Sequence, residues 1–236
     1  MKLSTTAASI LAVLTAAGLS SGTAATAMAS TVTSTVQVTG VQLKSALLPA
    51  ADFPAGYAVS NASDSGGHLA TAPAKDKLAT MSCSAWQQDL GETGFGETAM
   101  ATDTVGRSNS NPSQLTLSAY GQLVYQFRTT SAASAFFAGL RAVATRCSSI
   151  SLSEGGATLT AKVRVVSAAR VDGHTAFWID ETESASGFSA QDRTLLTNAG
   201  TDVFAVDSTG VTVAPPSSPA PASLIVKLIA RVEALR

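Results

Sequence analysis

Residues Leu115 to Arg128 alternate so regularly that they leave little choice of backbone. Leu115, Leu117, Ala119, Gly121, Leu123, Tyr125 and Phe127 fall on one side, and Thr116, Ser118, Tyr120, Gln122, Val124, Gln126 and Arg128 on the other. Side chains change face at every residue of a strand, so this period of two predicts a long β-strand, apolar side in and mostly polar side out. Such a strand belongs in an antiparallel sheet covered on one face. The period then changes. From Ser131 to Cys147, Phe136, Leu140, Val143 and Cys147 recur at helical spacing, which predicts a helix lying on that sheet. The expected class is α+β: a twisted antiparallel sheet of about five to seven strands with flanking helices and one disulfide.

The remaining segments fit this plan. Val41 to Leu48 reads as a short helix burying Leu43 and Leu47 and ended by Pro49, and Pro54-Ala55-Gly56-Tyr57 turns into a short strand. Asn61 to Pro73 reads as a loop with Gly66-Gly67-His68 at its tip, and Lys75 to Leu90 as a helix carrying Cys83 and Trp86. A strand is expected over Thr98 to Val105, followed by a polar turn over Gly106 to Ser113. Thr158 to Ala169 and Val171 to Glu183 predict a hairpin about Arg170–Gly173. Arg193 to Asn198 and Asp202 to Asp207 predict another across Ala199-Gly200, with Ser208-Thr209-Gly210 as the next turn. Pro215 to Pro221 is a proline-rich linker to a C-terminal amphipathic helix with Leu224, Ile225, Leu228, Ile229, Val232 and Leu235 on one stripe.

The first 29 residues predict a leader. Lys2 is their only charge, an apolar run from Ala7 to Leu19 follows, and Ala27-Met28-Ala29 precedes Ser30. A charged start, a greasy middle and an A-x-A exit make a secretory signal peptide. The apolar run falls short of the roughly 20 residues a membrane span needs. Ser30 to Gly40, rich in Ser and Thr, reads as a flexible lead-in, and residues 41–236 as one domain. The C-terminal stripe carries Lys227, Arg231 and Glu233, too many charges for a bilayer interior, so no stable membrane insertion is expected after leader cleavage. Export makes a bridge the default for the even pair Cys83 and Cys147, closing a loop of about 65 residues. The alternative, a reactive thiol, needs a base from His68 or His174, and neither stands in a recognisable motif.

Composition narrows function further. Fifteen Lys and Arg stand against 16 Asp and Glu in 236 residues, so no electrostatic footprint for nucleic acid is present. Two His and two Cys exclude zinc-finger and iron–sulfur architectures by count, and no cofactor is expected.

Leu47-Leu48-Pro49 followed by Asp52-Phe53-Pro54-Ala55-Gly56-Tyr57, the Cys83 helix, and Tyr125-Gln126-Phe127 running into an Ala/Phe-rich helix that ends at Cys147 form a recognisable series. Over roughly residues 41–236 the chain resembles the PknH-like extracellular domain family of actinobacteria, the outer sensor of receptor-type Ser/Thr kinases, in a free-standing secreted form. The resemblance implies a twisted antiparallel sheet with flanking helices and a cleft for an unidentified ligand, and it implies no catalysis. The chain departs from the kinase-attached sensors in having two cysteines rather than a four-cysteine pattern, and it shows no kinase domain, spanning helix or lipid-attachment cysteine.

Site candidates are few. His174 and Trp178 share one face of the predicted strand Val171–Glu183, with Asp172 and Asp180 beside them and Phe177 and Ile179 facing away. Trp178 as a stacking platform and His174 as a hydrogen-bonding group would suit a cleft, with Tyr120 on the polar face of the central strand as a further contact. The bland alternative is a covered or partly wet sheet face. Asp172, His174 and Asp180 have no dedicated metal-ligand spacing, so no metal is expected. The acidic run Asp180-Glu181-Thr182-Glu183 reads as an exposed turn, and no G-x-S-x-G elbow supports a hydrolase. The expected function is therefore non-catalytic binding of a small-molecule or cell-envelope ligand in a cleft beside the sheet. A protein-interaction module at the envelope is the alternative, and a secreted hydrolase comes third.

Overall fold

The computed structural model describes residues 38–59, 62–66, 78–89, 94–109, 116–154, 157–185 and 188–236. The leader, most of the lead-in and His68 lie outside these. Val38 and Thr39, read above as lead-in, belong to the fold. The Val38 amide donates to Gln126 Oε1 at 3.0 Å, and Thr39 caps helix α1 (Gly40–Ala46) in a reciprocal pairing with Gln42.

Nine strands are present among the described residues: β1 (Ala58–Val59), β2 (Ser63–Gly66), β3 (Ala99–Asn109), β4 (Thr116–Gln126), β5 (Ser149–Glu154), β6 (Ala157–Ser167), β7 (Ala176–Ala185), β8 (Phe188–Ala199) and β9 (Asp202–Val211). They form one antiparallel sheet in the order β1-β3-β4-β9-β8-β7-β6-β5, with β2 also pairing β3. That exceeds the five to seven strands expected. The short strand expected after Tyr57 is β1; the extra strands are β2 on β3, within the stretch expected as a loop, and the serine-rich β5 on β6.

Helices lie on both faces. Helix α3 (Thr130–Arg146) and α2 (Cys83–Asp89) cover one face, where Tyr125, Phe127, Phe136, Leu140, Val143, Phe177 and Trp86 are buried together. Thr129 caps α3 by accepting from the Ala132 amide at 3.1 Å. Helix α1 and helix α4 (Pro221–Glu233) cover the other, around Leu43, Leu48, Tyr120, Val124, Phe204, Leu224 and Ile225. Proline stands in the first turn of α4, where its missing N–H costs nothing. Arg231 of α4 donates to the Ala46 and Ser45 carbonyls at 2.7 and 3.2 Å, joining α4 to the end of α1.

Covering both faces overturns the one-sided sheet expected from β4. Its polar side holds Tyr120, Gln122 and Gln126, all buried. Gln122 reads an extended backbone: its Oε1 accepts from the Leu48 amide at 2.8 Å and its Nε2 donates to the Leu48 carbonyl at 2.9 Å. A glutamine is thus polar in sequence yet internal in the fold, because it replaces the water that Leu48 would otherwise need.

The predicted Lys75–Leu90 helix is interrupted. Residues 78–80 are helical, Met81 and Ser82 are not, and α2 starts anew with the Ser82 hydroxyl accepting from the Ala85 amide at 3.1 Å. Arg146 at the end of α3 donates to the carbonyls of Met81 (2.7 Å) and Ala79 (3.2 Å), replacing the bonds lost at the break. The break brings Cys83 to Cys147 with Cα atoms 5.3 Å apart, and the two form the expected disulfide.

Two turns expected from sequence are strand. Gly106 to Asn109 continue β3, and Ser208-Thr209-Gly210 continue β9. Gly210 is required because the chain folds back over it: a Cβ there would lie 2.3 Å from the Val213 carbonyl oxygen and 2.6 Å from the Pro215 nitrogen. The proline-rich segment therefore begins packed against the sheet.

Candidate functional site

Of the four residues expected to bind ligand, Asp172 and His174 share a turn before β7, whereas Tyr120 stands three strands away from Trp178. Asp172 is exposed at a φ of 48° in a tight turn, and His174 closes that turn through paired backbone bonds with Val171 of 3.0 and 2.9 Å. His174 therefore precedes β7 rather than sharing it with Trp178. Trp178 is half-buried beneath the Arg193 guanidinium, whose carbon stands 4.9 Å from the ring centroid. Arg193 and Arg164 both grip Asp180, at 3.1 and 2.7 Å. Burial pushes the Asp180 carboxyl up, but the two guanidinium groups outweigh it and hold it below the usual range. Tyr120 faces the same way as Trp178, yet β9 and β8 intervene, a separation of about 14 Å. It is wholly buried between Phe53 and Tyr57, donates to the Pro219 carbonyl at 3.1 Å, and burial pushes its phenol up to about 12.

A concavity lies on the opposite face, beside α3. It has a volume of about 110 Å³ and is floored by β4, β9, β8 and β7, with Leu140 of α3 at one end. Since a water needs about 10–15 Å³ of such space, there is room for a small organic molecule. Strand register divides its chemistry. Tyr125 and Val203 form a row toward α3, followed by Leu123, Ala205 and Leu196 in the next, and by Ile179 level with Thr194 and Asp207. Two to four residues further along the same strands come Asp207, Asp192, Glu181 and Glu183. The groove is apolar at the helix end and acidic at the other. The acidic run of β7, expected as an exposed turn, is strand: Asp180 faces the arginines, while Glu181 and Glu183 face the groove, Glu183 only 6% exposed.

Asp192 and Asp207 form the centre of the acidic end. The Thr209 hydroxyl lies within hydrogen-bonding distance of both, and Thr194 also donates to Asp192 at 2.8 Å. The Gly121 amide donates to Asp207 Oδ2 at 3.1 Å. Glycine makes that approach possible: a Cβ at 121 would lie 1.9 Å from Asp207 Oδ1. Thr209 has one hydroxyl proton, so it can donate to only one carboxylate. Both contacts are satisfied when one proton resides on the pair, with Asp207 donating to Thr209 and Thr209 to Asp192. Burial, then the charge of Asp192, pushes Asp207 up to about 7. Asp192 is also raised, chiefly by burial, with Asp180 adding repulsion.

A pH dependence follows. An acid whose folded value exceeds its unfolded 3.8 holds a proton in the folded state that the unfolded chain has released, so stability falls as pH rises from about 4 to about 7. Asp207→Asn keeps an acceptor for Gly121 and removes the titration. The variant is expected to be more stable than wild type at pH 8 by on the order of 2 kcal/mol, and to converge with it near pH 4. Asp103, which burial raises to about 6, keeps a residual slope of the same sign at lower pH. Urea unfolding at pH 4, 6 and 8 checks this; parallel pH profiles for the two proteins would remove the shared-proton assignment.

Asp192, Asp207, Thr209 and Gly121 were not singled out from sequence. The available signal was the period of two through Val203, Ala205, Asp207 and Thr209, which puts the Asp and Thr on the same face as the apolar residues before them. Reading Ser208-Thr209-Gly210 as a turn concealed it.

Residues 38–229 match the family described as the PknH-like extracellular domain. The fold is similar to the crystal structure of the extracellular domain of PknH from Mycobacterium tuberculosis, with a TM-score of 0.56 and 15% sequence identity over 84% of this chain and 97% of that one. No curated protein matches the chain.

Proposed function

The chain belongs to the PknH-like extracellular domain family, and from that premise we propose that it is an exported, non-catalytic sensor-like domain that binds a small molecule or cell-envelope fragment in the groove beside α3. The observation that carries the reading is the groove itself: a concavity with an apolar floor and a few convergent polar groups is the usual form of a small-molecule site. Export is supported by the leader pattern of residues 1–29, by the family's extracellular placement, and by a disulfide joining Cys83 to Cys147. Among the described residues no helix is long and apolar enough to cross a membrane.

The His174 and Trp178 face has less to offer a ligand. Arg193 covers the Trp178 ring, and Asp180 is engaged by two arginines. A thermal-shift screen of the purified protein against envelope fragments and metabolites tests the proposal. A ligand at a hundredfold excess over its Kd stabilises the fold by about 2.7 kcal/mol. The expected result is a hit whose shift is lost in Leu123→Trp, which fills the groove, and retained in Trp178→Ala. A hit with the reverse pattern would move the site to the arginine face.

A further inference from the structure

Resting on the reading of the groove as the ligand site, we propose that it takes a small amphiphilic amine, with the ammonium group at the Asp192–Asp207 end and the apolar body against Leu123, Ile179, Leu196 and Ala205. The two chemistries are built into the register of adjacent strands: β9, β8 and β7 each change from apolar to acidic in the same direction away from α3, while β4 contributes the apolar Leu123 beside them. A purely apolar molecule would cover the carboxyl pair without offering it a donor, at the cost of desolvating polar groups. A sugar-like polyol would suit the carboxyls but would set its hydroxyls against Leu123 and Leu196. An anion would meet Glu181 and Glu183 from β7, Asp192 from β8 and Asp207 from β9, and the Gly121 amide of β4 is already spent on Asp207. None of the described lining residues is a lysine or arginine; Arg164 and Arg193 are on the other face, held by Asp180. A primary ammonium brings a positive charge and three N–H donors, which answers two neighbouring carboxyl groups better than a single hydroxyl can.

Three probes of equal length separate charge from hydrophobicity: hexylammonium, hexanol and hexanoate, titrated at pH 8 into methyl-labelled protein. The resonances of Leu123, Leu140, Ile179, Leu196 and Val203 report the groove. Hexylammonium is expected to shift them saturably and to bind at least about tenfold more tightly than hexanol, with hexanoate weakest. In Asp192→Asn/Asp207→Asn, whose amides keep the side-chain size, hexylammonium and hexanol should bind within about threefold of each other. Equal binding of hexylammonium and hexanol to the wild-type protein overturns the amine assignment and leaves the groove as a ligand site. If none of the three shifts any groove methyl, the groove reading falls as well.

Discussion

Replacing both bridge cysteines, Cys83→Ala with Cys147→Ala, is expected to lower the unfolding free energy by about 4 kcal/mol and the melting temperature by roughly 10 °C. The bridge spans 64 positions, so in the unfolded chain it removes the entropy of a long loop. That loop includes β3 and β4, which join the short edge strands to β9, together with α3. Against a typical total of about 5–15 kcal/mol, the loss is a large fraction of stability. The variant should still fold. Arg146 continues to hold the Met81 and Ala79 carbonyls, and Trp86 remains buried in the core beneath α3. Guanidinium unfolding of both proteins with and without reductant gives the answer: reductant should lower wild type to the level of the variant and leave the variant unchanged. A difference below about 1 kcal/mol would mean that the Arg146 contacts, rather than the bridge, fix α2 to α3.

The elements with a single strong period were legible in the sequence. The β4 alternation, the α3 face ending at Cys147, the α4 stripe and the Gly200 hairpin all occur as expected, because each buries one continuous set of apolar side chains. Legibility ended where polar residues go inside. Gln122 and Gln126 read as solvent-facing but carry backbone partners from the N-terminal segment. Thr209 and Gly210 read as a turn but are strand, since Thr209 serves two carboxyls and Gly210 yields room to the returning chain. The groove residues were hidden for the same reason. An aromatic–histidine strip was legible over Val171–Glu183, whereas the groove is assembled from a few residues on each of four strands whose order, β4-β9-β8-β7, is not sequential. Asp192 and Asp207 become neighbours only through the β8–β9 pairing, and nothing in their local sequence contexts announces it.

The other large effect is expected at Gln122. Gln122→Leu keeps the volume of the side chain and places an apolar group on a face already packed with Tyr120, Val124 and Val206, so hydrophobic burial alone would predict little change. The cost arises in its partner. Leu48 is buried at 1% exposure, and its N–H and C=O both lose their hydrogen bonds. A buried backbone group left unsatisfied costs about 1–3 kcal/mol, so two together should cost roughly 3–4 kcal/mol. Asp103 suffers too: it pairs across the strands with Gln122, and a hydrogen bond from that side chain counters part of its burial. The loss should be local in character, because Leu48 links α1 to the sheet while α4 reaches α1 through Arg231. Urea unfolding should report the full destabilisation, and hydrogen exchange should show protection lost first at Leu43, Leu47 and Leu48, with Phe136 and Leu140 in α3 unaffected. Gln122→Glu, which can still accept from the Leu48 amide but cannot donate to its carbonyl when ionised, is expected to lose protection at the same three positions. If Gln122→Leu unfolds within about 1 kcal/mol of wild type, then α1 is held by its apolar face alone and the buried amide is incidental to the two-sided sheet.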